Sequence, residues 1–275
     1  MPPKAEPGRD GAADASLEVS GLGRHFPVRD DPGSPRWVIR DLSFRVQAGE
    51  FVTIIGPSGS GKSTLLNLLS QIDLPSAGEI RIGGVVASSN ASTQLNPGLD
   101  LRIGYVTQDD NLLPWRSLLD NVLFPLKVQG RLDAAARARA RDLMAAVGLT
   151  GFERHYPHEL SGGMRKRASL IRTLIYDPPI ILMDEPFGAV DAQTRLQLQQ
   201  DLLTLWELKK KTIVFVTHDI TEAVGLADRV LVLSTSPASI RAEHAVPLAR
   251  PRDMRGVIAQ PAFAPLFESI RSQVY

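Results

Sequence analysis

Short runs of consecutive apolar residues, each stopped by glycine, proline or polar residues, punctuate the chain from Phe51 to Leu233. Phe51–Ile55, Ile180–Met183, Ile213–Val216 and Val230–Leu233 are such runs, rich in β-branched residues. They lack polar alternation, so each is expected to be a strand buried on both faces. Arg102–Val106 and the shorter Glu79–Ile82 predict two further strands. Between the strands the apolar period lengthens, and Lys62–Leu69, Asp133–Val147, Met164–Ile175 and Gln193–Lys209 predict helices. Asp177-Pro178-Pro179 ends the third of these, because proline has no N–H to continue the ladder. Strands alternating with helices argue a mainly parallel sheet. Upstream, Leu17–Val46 breaks into short apolar segments separated by Gly, Pro and Asp, the pattern of antiparallel strands. Val86–Asp100 is polar and contains Gly, Pro and Asn, which predicts a loop of generous length. The tail Pro237–Tyr275 has several prolines and weak periodicity, and neither a repeat nor a heptad array stands out.

Composition narrows this picture. A chain of 275 residues holds one large domain or two small ones, and 43% hydrophobic residues suffice for a sizeable core. The net charge of +1, with both signs mixed, gives no footprint for nucleic acid, so no nucleic-acid partner is expected. Arg137, Arg139 and Arg141 read as the solvated face of a helix. The lack of cysteine excludes disulfides, thiolate metal sites and a thiol nucleophile. His25, His155, His158 and His244 show no metal-ligand spacing. No apolar run reaches membrane-spanning length. Met1–Ser16, rich in Pro, Ala, Gly and Asp, lacks the apolar stretch of a signal peptide and is expected to be a flexible tail. The cytoplasm is the expected location, with any membrane link made through a partner.

The first chemistry-bearing segment is Gly56-Pro57-Ser58-Gly59-Ser60-Gly61-Lys62-Ser63-Thr64, which fits G-x-x-x-x-G-K-[ST] between a strand and a helix. Its glycines let the backbone curl until successive N–H groups face phosphate oxygens. Lys62 is expected to reach the β- and γ-phosphates, Ser63 to bind Mg²⁺ and Thr64 to add a phosphate contact. Ile180–Met183 runs into Asp184-Glu185. Neighbouring side chains at a strand end point to opposite sides, so Asp184 can face Mg²⁺ while Glu185 faces the γ-phosphate as general base. His218 ends another strand at the edge where parallel sheets bind ligands, and a γ-phosphate contact is its expected role. Gln108, also at a strand end, can hold Mg²⁺ or water through its amide oxygen. A second glycine pair, in Leu160-Ser161-Gly162-Gly163-Met164, opens a helix with no carboxylate before its exposed N–H groups, and such a terminus is a phosphate site in its own right. The chain thus carries two triphosphate-binding surfaces.

In this order the segments resemble the nucleotide-binding subunit of an ABC transporter. The resemblance covers about Leu17–Ile240. It makes Gly56–Thr64 the Walker A motif, Gln108 the Q-loop, Leu160–Met164 the signature, Ile180–Asp184 Walker B and Glu185 the catalytic glutamate. Gly188-Ala189-Val190-Asp191 is similar to the D-loop and His218 to the switch histidine. Phe26 resembles the aromatic that stacks on adenine, with a plain core Phe as the other reading. The implied fold is an α/β P-loop NTPase cassette with a mainly parallel core sheet, an antiparallel β subdomain and a helical subdomain. Its expected layout is a tail (1–16), the ATPase domain (17–240, helical subdomain about 109–176) and a C-terminal extension (241–275). The family also implies ATP and Mg²⁺ as cofactors and a head-to-tail dimer, in which Ser161, Gly162 and Gly163 of one copy meet the ATP on the other and Asp191 lies close by. Leu112-Leu113-Pro114-Trp115-Arg116, Asp120-Asn121-Val122 and Asp184–Arg195 are similar to the nitrate/sulfonate/taurine importer ATPases. That likeness implies transmembrane permease subunits, an extracytoplasmic solute-binding protein and a peripheral place on the cytoplasmic face of the membrane. An ATPase of a lipid-trafficking or export complex is the alternative. Leu112–Trp115 either lines a groove for the membrane subunit or belongs to the helical subdomain's core. Lys166, where many members carry Gln, is expected to add charge near the partner's nucleotide.

Overall fold

The computed structural model describes residues 16–28, 31–91, 100–188, 190–235 and 237–274. Most of the expected N-terminal tail, part of the expected 86–100 loop and Ala189 therefore lie outside the described residues. The strands are β1 (Leu17–Val28), β2 (Asp31–Val46), β3 (Phe51–Ile55), β4 (Ala77–Ile82), β5 (Val85–Ser89), β6 (Ile103–Val106), β7 (Ile180–Asp184), β8 (Thr212–Thr217), β9 (Arg229–Leu233) and β10 (Ile240–Ala245). The helices are α1 (Lys62–Leu69), α2 (Leu118–Val128), α3 (Ala134–Ala146), α4 (Gly162–Leu174), α5 (Ala192–Lys209), α6 (Ile220–Leu226) and α7 (Phe263–Val274).

Two sheets form, a four-stranded β2-β1-β4-β5 and a six-stranded β10-β9-β3-β8-β7-β6. The first is antiparallel throughout. In the second, β9, β3, β8, β7 and β6 run parallel and only β10 is antiparallel. The apolar runs are continuous because this sheet is buried on both faces. Phe51, Ile55, Ile181 and Met183 enter one core with helices α2 to α7. Val52, Ile54, Ile180 and Leu182 enter the other with α1 and the antiparallel sheet.

The helices start on polar caps. Ser117, Asp133, Ser161, Asp191 and Asp219 each accept a hydrogen bond from a backbone N–H in the first turn of α2, α3, α4, α5 and α6. Such caps contribute about 1 kcal/mol each. Arg137, Arg139 and Arg141 lie on the exposed face of α3 while Ala136, Ala140 and Met144 are buried, as the pattern requires.

One expectation is corrected. Val86–Asp100 is not wholly loop, because Val85–Ser89 pairs antiparallel with β4. The weakly periodic Pro237–Tyr275 contributes β10 and α7. β10 starts at Ile240 and completes the core sheet beside β9. Arg252, 3% exposed, holds the segment down by donating to the carbonyls of Gly225, Ala227 and Leu248. Three helices, α2, α6 and α7, have no counterpart in the apolar pattern.

Candidate active site

The parallel registers build the site. Ile55 pairs with Thr217 and Val216 with Asp184, so Gly56, Glu185 and His218 leave three adjacent strands at one edge. Val106 pairs with Met183, which places Gln108 beside the same edge. A cavity of about 410 Å³ opens there, lined by Ser58, Gly59, Gly61, Lys62, Ser63, Thr64, Glu185, His218 and Val38.

The phosphate loop has the predicted curl. Gly59 and Gly61 adopt φ of +77° and +84°, a region glycine enters without steric cost. A Cβ on Gly59 would meet nothing within 4 Å, so this turn of the backbone faces open space. Gly56 is different, because a Cβ there would lie 2.8 Å from the buried Ser60 hydroxyl. The Lys62 ammonium donates to the carbonyls of Gly56 (2.8 Å) and Pro57 (2.9 Å), which centres it in the loop. Burial pulls its pKa down, while Glu185 and Asp184 push it back up. Helix α1 has no acidic residue in its first turn, so nothing competes with an anion for its N–H groups.

Burial pushes the Asp184 carboxyl above the usual carboxylate range, and the neighbouring Ser63 hydroxyl pulls it part of the way back. A hydroxyl and a carboxylate side by side are the hard oxygen donors that Mg²⁺ selects, so the residues fit that ion. Glu185 has φ +43°, an uncommon value for a non-glycine residue that costs about 1–3 kcal/mol. From that backbone its Oε2 reaches the His218 Nδ1 at 2.9 Å. A Cβ on Gly188 would lie 3.9 Å from Glu185 Oε2 and 4.0 Å from Gln108 Nε2, so the Gln108 amide and the Glu185 carboxylate flank one point.

Other expected site residues stand apart. Phe26 is 38% exposed, carries the Arg24 guanidinium 4.6 Å from its ring centroid, and is not among the cavity walls, where Val38 stands instead. Exposure excludes the plain core reading of Phe26. Asp191 caps α5 through the Thr194 N–H at 3.0 Å, and the Thr194 hydroxyl together with that N–H holds its carboxyl below the usual range. Ser161, Gly162 and Gly163 lie at the start of α4, outside this chain's own cavity. Gly162 is open, whereas a Cβ on Gly163 would sit 2.6 Å from the Thr194 methyl of α5. The two glycines therefore differ, one presenting bare backbone and the other allowing two helices to meet.

Contacts around Gln108 were not legible beforehand. Arg165 pairs with Asp110 at 3.0 Å, and Arg172 donates to the carbonyls of Asp110 and Asn111. Lys166 donates to the Gln108 carbonyl of its own chain. The run Leu112–Trp115 is split between its two readings, with Leu112 8% exposed in the core and Trp115 71% exposed. Asn121, fully buried on α2, fixes this segment with four hydrogen bonds. It accepts from the Leu113 N–H (2.7 Å) and donates to the carbonyls of Leu113, Arg116 and Ser117 (each 3.1 Å). Asn121→Leu is expected to lower unfolding free energy by about 2–4 kcal/mol, because several buried backbone groups lose their partner. The shift in urea midpoint measures it, and a change within error would show that the loop finds other partners.

A phosphate cradle answered across the sheet edge by a carboxylate and an imidazole is the arrangement of a P-loop nucleoside triphosphatase. The antiparallel sheet laid over one face makes it a cassette. The chain belongs to the ABC transporter family, whose sequence profile matches residues 39–188, and it is an ABC-type ATPase that binds ATP. It is 43% identical over 241 residues to an uncharacterized ABC transporter ATP-binding protein, MJ0412, of Methanocaldococcus jannaschii, covering 88% of this chain and 86% of that one. It is 42% identical to the taurine import ATP-binding protein TauB of Yersinia pestis, over 82% of each chain. It is 39% identical to the aliphatic sulfonates import ATP-binding protein SsuB of Bacillus cereus, over 82% of this chain and 84% of that one. Among solved structures, the dimeric ATP-binding cassette MJ0796 in a post-hydrolysis state with ADP and Pi superposes with a TM-score of 0.72. The identity there is 32%, covering 85% of this chain and all of that one. Among the described residues, no helix is long and apolar enough to cross a membrane.

Proposed function

We propose that this subunit hydrolyses ATP to drive a membrane importer for a small anionic or zwitterionic solute such as nitrate, a sulfonate or taurine. The observation that carries the hydrolytic part is the Glu185–His218 contact at the mouth of the phosphate loop. The likeness to taurine and sulfonate import subunits supports the transport part. The subunit would sit on the cytoplasmic face of the membrane, bound to permease subunits that receive solute from an extracytoplasmic binding protein. Residues 109–176 would form its helical subdomain.

In this reading the loop N–H groups of Gly56–Thr64 and the Lys62 ammonium orient the triphosphate. Phe26 offers its exposed ring to adenine. Ser63, Asp184 and Gln108 would hold Mg²⁺, which when bound neutralises charge on the phosphate oxygens. Glu185 accepts a proton from the attacking water while His218 fixes the Glu185 carboxylate and reaches the γ-phosphate. The second copy places Ser161–Gly163 against the same phosphate, with Asp191 at the shared boundary. Loss of the γ-phosphate removes the charge that bridges the copies, which links closure to ATP and opening to hydrolysis.

Trp115 stands out from a loop that Asn121 fixes to α2, so a short helix of the permease is proposed to dock there. A cysteine at position 115 is expected to crosslink to the permease in the assembled complex. Absence of a crosslink in a complex that still transports would refute that contact. Copurification with a candidate permease, followed by ATPase assays with a solute-binding protein and candidate solutes, tests the import reading. Stimulation by a loaded binding protein supports it, and stimulation by lipid alone would overturn it.

A further inference from the structure

Glu222 is a buried acid that the hydrolytic reading leaves without a task. It lies in the first turn of α6 and is 6% exposed. One carboxylate oxygen accepts from the Thr217 hydroxyl at 2.5 Å, and the other from the Gln199 amide at 2.9 Å. Both partners are also buried, Thr217 at 1% and Gln199 at 3% exposure. Thr217 immediately precedes His218, and its hydroxyl in turn accepts from the Asp219 N–H at 3.0 Å. The two peptide neighbours of His218 are thus tied to one oxygen, and that oxygen is tied to Glu222. Gln199 belongs to α5, the helix that Asp191 caps. One turn earlier on the same helix, Arg195 donates to the Val190 carbonyl at 3.3 Å and lies 3.9 Å from the Asp219 carboxylate. Helix α5 therefore grips both sides of His218, directly at Asp219 and through Glu222 at Thr217.

We infer that Glu222 is a positioning residue for His218, holding the switch imidazole in register with Glu185 and linking it to the helix that begins at Asp191. This rests on the reading of His218 as a catalytic contact. The physical need is plain. His218 is itself 66% exposed and, among the described residues, its ring makes one side-chain hydrogen bond, to Glu185, so its own packing does little to fix it. A buried carboxylate costs stability unless its lone pairs are satisfied, and here two buried donors satisfy it. Burial pushes the Glu222 carboxyl up, and the Thr217 and Gln199 hydrogen bonds pull it back.

The test uses Glu222→Ala, Glu222→Gln and Thr217→Val in the full-length chain. Three readouts are taken: kcat per nucleotide-binding site, affinity for an ATP analogue, and the imidazole NMR signals of the five histidines. Glu222→Ala and Thr217→Val are expected to lower kcat about ten- to a hundredfold, since a small misplacement of a catalytic group is enough for that. Analogue affinity should stay within about twofold, because the phosphate loop lies on other strands. The His218 signals should move while those of the other four stay. Glu222→Gln keeps a polar side chain of the same shape and should lose less than Glu222→Ala. If Glu222→Ala does not fold, Thr217→Val carries the test alone. A lower melting temperature with unchanged kcat per site, or a lower kcat with unmoved His218 signals, would overturn the role. His218→Ala separates the two readings. If that variant turns over at the wild-type rate, the catalytic reading of His218 falls, whereas the ring signals still judge whether Glu222 positions it.

Discussion

Glu185→Gln is expected to bind ATP and to lose turnover by about 10²- to 10⁴-fold, the range a positioned general base supplies. The amide keeps the shape of the side chain and can still meet the His218 ring, now 2.9 Å from Oε2, so the cavity should persist. What it cannot do is take a proton from water. Removing one negative charge from the cavity also eases the approach of the triphosphate, so affinity should not fall. Two copies that close on ATP would then stay closed, and light scattering with ATP should report a stable dimer absent with ADP. Hydrolysis by the Gln variant at near the wild-type rate would assign the base elsewhere. The positive φ of Glu185 adds a control. Glu185→Gly relaxes the backbone while deleting the carboxylate, so a turnover loss equal to that of the Gln variant would show that proton transfer, not strain, is what matters.

Chains with Lys62→Ala and chains with Gly162→Asp should each be inactive alone yet recover activity when mixed. If the site is shared head to tail, a mixed dimer holds one doubly damaged site and one intact site. Random pairing then restores roughly a quarter of wild-type activity, since half of the dimers are mixed and each has one good site of two. Gly162 suits this test because a Cβ there meets only the Arg165 guanidinium at 3.8 Å, so added bulk projects away from the fold. Gly163 does not, because a side chain would push on Thr194 and disturb α5 as well. The melting temperature of Gly162→Asp should match wild type, and nucleotide binding by that variant should be retained. No recovery on mixing, with both variants folded, would mean that each copy acts alone.

Much of this architecture was legible because the buried strands announce themselves. Phe51–Ile55 and Lys62–Leu69 were bounded correctly by the change from continuous apolar residues to glycine and then to helical spacing. The phosphate loop is contiguous, so its chemistry could be read residue by residue. The gathering of Asp184, Glu185 and His218 followed from the rule that parallel strands present ligands at their C-terminal edge. What escaped was decided by tertiary contacts or by proline. Helix α2 carries Pro125 in its interior and α7 has Pro265 in its first turns, each of which reads locally as a break. β10 alternates half-buried and exposed positions in a short polar segment whose partner is set by the sheet, not by its own propensity. The turn of Glu185 into positive φ, the reach of Lys166 to the Gln108 carbonyl and the bonds of Asn121 and Glu222 join residues whose spacing carries no pattern.

β10 also bears on how the protein behaves in solution. It covers the side of β9 that faces away from β3, and β9 is a run of Arg-Val-Leu-Val-Leu whose last four residues are buried. β10 itself meets solvent with Arg241 and Glu243. The Gln273 side-chain and main-chain oxygens of α7 secure it through His244 and Arg241. Charged edge strands resist pairing with other chains, whereas bare apolar ones invite it. A chain shortened before Ile240 would keep every phosphate-binding residue and still present an open apolar ladder to its neighbours. Such a truncation should precipitate or form disordered oligomers on purification. On that outcome the final segment would be a guard against self-association through the β9 edge.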